Sequence, residues 1–128
     1  MSLDVSPELL AAAEAGEVDD AAFLSCVRDS LPYAWRTVGA VAGRVGADGF
    51  ADDATPPPTE AERGQLLRAL ASTSIRGALE RHFGVVLAFQ NCHRVAAFTP
   101  SVVDSDRYRA FVSPRGQLLN QSPELRDC

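Results

Sequence analysis

The hydrophobic pattern of the chain changes period at Gly84. Before it, apolar residues recur three and four apart; after it come two short apolar runs, V-V-L-A-F at 85–89 and R-V-A-A-F at 94–98. The first spacing is that of helices with one buried stripe, and the second is that of short strands covered on both faces. Helices therefore precede strands, and no early strand is available for a parallel βαβ unit. The expected fold is α+β, with N-terminal helices, a helical pair and a small antiparallel sheet in separate layers. A chain of 128 residues has room for one core, a single domain over 1–128.

Local punctuation sets the helix limits. Ser6-Pro7-Glu8 supplies an N-cap, a first-turn proline and an acid at the positive end of the helix dipole, and Gly16 closes that helix. Asp19 caps a second helix over 20–30, with Ala22, Phe23, Cys26 and Val27 at helical spacing. Pro32 opens a third, which carries Trp35, Val38, Ala42 and Val45 as far as Gly46. Residues 46–58, GADGFADDATPPP, predict an exposed connector. Thr59 and Glu62 form a capping box for the next stretch. Its stripe through Leu67, Leu70, Ala71, Ser74, Ile75, Ala78 and Leu79 makes 59–83 one long helix or two short ones, with Gly84 as the stop.

The two apolar runs, with Gln90-Asn91-Cys92-His93 between them, read as a β-hairpin with a four-residue loop that other elements must cover. Tyr108 to Val112 is the candidate third strand. Residues 113–128 begin with the turn signal Ser113-Pro114-Arg115-Gly116 and form a C-terminal strap or docking segment. Their Leu118, Leu119 and Leu125 are too few for a core, while Gln117, Asn120 and Gln121 offer hydrogen bonds without charge. Ordering a free tail costs roughly 1–2 kcal/mol per residue, which favours a strap on the chain's own domain.

All twelve basic residues are arginine, the usage of a GC-rich bacterial genome, so lysine chemistry is excluded: no Schiff base, no lysine general base, no P-loop lysine. The net charge of −5 divides unevenly. Residues 1–60 hold eleven acids and three arginines, and residues 61–128 hold six acids and nine arginines, so either the two parts pair with each other, the favoured reading, or the basic part meets an anionic partner. Cys26, Cys92 and Cys128 match no zinc spacing and are expected as free thiols, with Cys26 acting as a small buried hydrophobe. No metal or other cofactor is implied. The acidic N-terminus lacks the positive region of a secretory signal, and no apolar run approaches the ~20 residues of a membrane span. A soluble cytoplasmic protein without membrane contact is expected.

Glycine-rich nucleotide cradles, the nucleophile elbow and the H-E-x-x-H motif are absent from the sequence, so the reading leans away from an enzyme. Cys92-His93 is the one place where a nucleophile adjoins a base, the candidate catalytic pair of a small thiol-dependent enzyme. Neighbours in extended chain point to opposite faces, which suits a hairpin tip better than catalysis; Asp104 or Asp106 would have to orient His93. Asp48, Asp52 and Asp53 do not follow the calcium-loop pattern. Trp35 reads as a core residue on its helix stripe.

The leading expectation is a non-catalytic accessory or regulatory protein that binds another protein or a second copy of itself. Its contact candidates are Arg76, Arg81, Arg94, Leu118, Leu119 and Leu125. The alternative is a winged-helix-like DNA-binding regulator. Residues 63–94 carry five arginines against Glu80 alone, and helix, break, helix and hairpin follow in winged-helix order. Arg76 and Arg81 then lie on the second helix and Arg94 on the wing. The acidic total weighs against this reading.

Overall fold

The computed structural model describes residues 2–120. Helix starts fall where a short polar side chain can take up a free N–H. Ser6 accepts from Leu9 to open α1 (Pro7–Glu14), Asp19 from Ala22 to open α2 (Asp20–Ser30), and Thr59 from Glu62 to open α4 (Glu60–Leu70). Ser72, Ser105 and Ser113 do the same for α5 (Thr73–Phe83), α6 (Asp106–Phe111) and α7 (Pro114–Leu119). The exception is α3 (Pro32–Gly43), whose cap position is Leu31. There Gln65 of α4 reaches across, and its Oε1 accepts from Tyr33 N at 2.7 Å and Ala34 N at 3.3 Å. A capping bond thus doubles as a contact between helices.

The sheet is antiparallel in the order β1-β3-β2, with β1 at Phe50–Asp53, β2 at Val86–Gln90 and β3 at Arg94–Phe98. Alternation sorts its side chains. Ala51, Leu87, Val95 and Ala97 join one core with Val27, Leu31, Val38, Val41, Leu66, Leu70, Ile75 and Leu79 of the helices. Ala88, Ala96 and Phe98 face the other way and are covered by Phe111 and Tyr108 of α6, with Phe50 and Val86 alongside. A hairpin apolar on both faces is therefore enclosed on both, as expected from its sequence.

Four expectations are corrected or decided by the structure. The stretch 46–58 is not a simple connector: Phe50–Asp53 forms β1, in register with Phe98 to Val95. Only two of its four residues are apolar, so pairing with β3 rather than local pattern makes it a strand. The 59–83 region is two helices, because Ser72 takes the Ile75 N–H and starts a new one. Gln90 pairs with Arg94, which leaves a loop of three residues rather than four. Tyr108 to Val112 is not a strand: Ser105 and Asp106 start a helix there, and Tyr108 and Phe111 fall on one helical face.

Two details fix the edges. Glu80 Oε2 accepts from Leu87 N at 2.8 Å, so a carboxylate blunts the outer edge of β2. Before β1, Gly49 is buried with φ +75°, and a Cβ there would stand 2.6 Å from Thr99 Oγ1. Among the described residues no helix is long and apolar enough to cross a membrane.

Candidate functional site at the hairpin tip and α7

The hairpin tip turns through Asn91 and Cys92, both with positive φ (53° and 54°), and His93 N–H closes it on the Gln90 carbonyl at 3.2 Å. Cys92 and His93 are both buried. The Cys92 sulfur is disulfide-bonded, which corrects the free-thiol expectation, and a nucleophilic role would first need its reduction. The His93 ring meets the Asn91 carbonyl through Nδ1 at 2.7 Å. Asp104 and Asp106 instead hold Arg109, the first through its backbone carbonyl. Cys26 is free, buried, and placed 3.5 Å from the Asp4 carbonyl, as a small hydrophobe with a weak S–H donor.

The tip is where α7 is fastened. Gln90 Nε2 donates to the Phe111 carbonyl and Asn91 Nδ2 to the Asn120 carbonyl, while Gln117 Nε2 donates to Asn91 Oδ1 at 2.5 Å. Arg94 Nη1 reaches Asn120 Oδ1 at 2.5 Å, and its guanidinium also lies 5.1 Å from the centre of the Phe111 ring. Gly116 lets α7 approach α6 closely: a Cβ there would run into the Ala110 carbonyl. The polar side of α7 thus faces its own hairpin. Leu118 and Leu119 face outward, 72% and 66% exposed, more so than any other large apolar side chain among the described residues. Leu125 lies outside the described residues.

The three arginines expected as contacts are each engaged within the chain. Arg81 forms a two-point ion pair with Asp20, Nε to Oδ2 at 2.7 Å and Nη2 to Oδ1 at 2.9 Å. Hydrogen bonding to Arg81 lowers the Asp20 carboxyl below its ordinary value, and Asp20 in turn raises Arg81. Arg76 donates to the Leu70 carbonyl at 3.2 Å, and Arg94 pairs with Asp52 at 2.9 Å. Arg107 pairs with Asp48 at 3.3 Å. Three acids of residues 1–60 therefore meet three arginines of residues 61–128, the internal pairing expected from the charge division. Asp53 Oδ1 caps the Thr55 N–H. Trp35 packs against the main core, its ring 5.2 Å from His82 and 5.4 Å from Phe83.

Beside α7 lies a groove that sequence reasoning missed. Its lining includes Asp48, Phe50, Arg94, Arg107, Arg115 and Leu119. No spacing links residues 48–50 with 107–119, and only the pairing of β1 with β3 and the packing of α6 on that face of the sheet bring them together.

Compared with known proteins, residues 1–128 match a family described as NucS shadow ORF. No curated protein and no solved structure matches the chain.

Proposed function

From the premise that the chain belongs to the NucS shadow ORF family, we propose that it is a non-catalytic accessory domain that binds another protein or a second copy of itself through the outward face of α7. The family's description names an open reading frame in the shadow of another and no activity, so the reading rests on geometry. The observation that carries it is the two-sided character of α7. One side is hydrogen-bonded to the hairpin, while the other displays Leu118 and Leu119 to solvent. Covering a leucine side chain on binding is worth roughly 1.5–3 kcal/mol, and a helix held in place loses little entropy when a partner docks.

The test compares tagged wild type with a Leu118→Glu/Leu119→Glu variant in capture from cells that carry the gene. Proteins retained by wild type and lost by the variant, with melting temperatures alike, support the docking face. Equal capture by both folded proteins overturns it. The chain must first be shown to be made in those cells, which the tryptic peptide spanning residues 95–107 reports.

The runner-up is DNA binding, favoured by the order of α4, α5 and the hairpin, with β1 completing a three-stranded sheet. That reading needs guanidinium groups free for phosphates, whereas Arg76, Arg81 and Arg94 bond within the chain. Polarisation with a random duplex at low salt separates the two. Tight, steeply salt-dependent binding that Arg76→Ala/Arg81→Ala abolishes would favour DNA.

A further inference from the structure

We infer that the groove beside α7 recognises an acidic segment of a partner protein, with a carboxylate taken by Arg107 and Arg115 and a neighbouring apolar side chain set against Leu119 and Phe50. The inference rests on the docking reading of α7 and names the chemistry of what docks there.

The three arginines of the groove are not equivalent. Arg94 is occupied: Nε and Nη2 go to Asp52, and Nη1 goes to Asn120. Arg107 lies over the Phe50 ring, its guanidinium carbon 4.8 Å from the ring centre, and it meets Asp48 through a single contact at 3.3 Å. Both partners of that pair are more than half exposed, so an incoming carboxylate can replace Asp48 at little cost. Arg115 has no hydrogen bond or ion pair among the described residues, and its side chain lines the same groove. A guanidinium is planar and presents its donors in the fork that matches a carboxylate.

Charge selects the occupant. The chain as a whole carries −5, yet three arginines line this groove against Asp48 and the Asp52 held by Arg94, a local excess of positive charge. The net charge of the chain therefore opposes an acidic segment, while the local charge here attracts it. Leu119 lies on the rim, so the groove is continuous with the outward face of α7, and an apolar residue beside the carboxylate would be covered at the same time. A segment with alternating acidic and apolar residues satisfies both halves.

The experiment is fluorescence polarisation of the full chain with a labelled decapeptide of glutamate, aspartate and leucine. The control is the same peptide with glutamine and asparagine in place of the acids. Wild type should bind the acidic peptide and not the amide control. Arg107→Ala/Arg115→Ala should weaken binding at least tenfold while melting normally. Arg36→Ala/Arg68→Ala removes the same charge from exposed positions of α3 and α4 and should change it less than twofold. Equal loss in both variants, equal binding of the amide peptide, or tighter binding of a labelled duplex in the same buffer would overturn the inference. If Leu118→Glu/Leu119→Glu abolishes partner capture while the arginine pair proves irrelevant to the acidic peptide, the docking face stands and this inference falls.

Discussion

Arg94 on β3 and Asn120 at the end of α7 meet through Nη1 and Oδ1 at 2.5 Å, while the same guanidinium holds Asp52 on β1 at 2.9 Å. One side chain thus joins the strand formed by 50–53, the hairpin and the C-terminal helix. Arg94→Ala should cost about 1–3 kcal/mol in urea unfolding, because Asp52 is left partly buried without its partner. Asn120→Ala removes only the α7 contacts and should cost about 1 kcal/mol. Limited proteolysis should then cut near 114–120 in both variants and, in Arg94→Ala alone, near 50–53.

How much of this was legible in the sequence depends on where each signal resides. Caps are local: Ser6, Asp19, Thr59 and Gly84 act on residues three or four away, and each falls at a helix end as read. The hairpin was legible because five-residue apolar runs leave few other options. β1 was not, since Phe50-Ala51-Asp52-Asp53 becomes a strand only through β3, more than forty residues later. Tyr108 to Val112 misled because an aromatic and β-branched stretch resembles a strand, while the decisive Ser105 cap precedes it. Leu118 and Leu119 could be singled out as too few for a core, but their outward direction depends on which face of α7 the hairpin takes. The Arg107–Phe50 contact had no sequence signal at all.

The Gln65 amide caps α3 from α4, and Ala34, one of the two residues it serves, is fully buried. Gln65→Ala leaves two N–H groups without that acceptor and should destabilise by about 1–3 kcal/mol. Gln65→Glu keeps an acceptor and should recover most of the loss. Chemical denaturation of the three proteins checks the order.

Gly116→Ala forces a methyl group toward the Ala110 carbonyl and should lift α7 from α6, lowering stability by about 1–3 kcal/mol. Hydrogen exchange should lose protection over 114–120 first. Gly43→Ala, where nothing lies within 4 Å, is the control and should be neutral or stabilising by up to about 1 kcal/mol.

The Arg81–Asp20 pair gives a pH signature with a definite sign. Asp20 is lowered from its ordinary 3.8, chiefly by its hydrogen bond to Arg81. Its contribution is therefore fully present above that ordinary value and is lost as pH falls through the folded one. Wild type and Asp20→Asn should differ in melting temperature at pH 6 and converge in strong acid. Because both side chains are more than half exposed, added salt should shrink the difference.

The outward face of α7 is tested most directly by a photoreactive residue at position 118, with the same residue at position 36 on α3 as the comparison. After irradiation in cells, the account predicts a discrete adduct, to another protein or to a second copy of the chain, from position 118 and none from position 36. A folded protein that yields no adduct from position 118 beyond that of position 36 would contradict it.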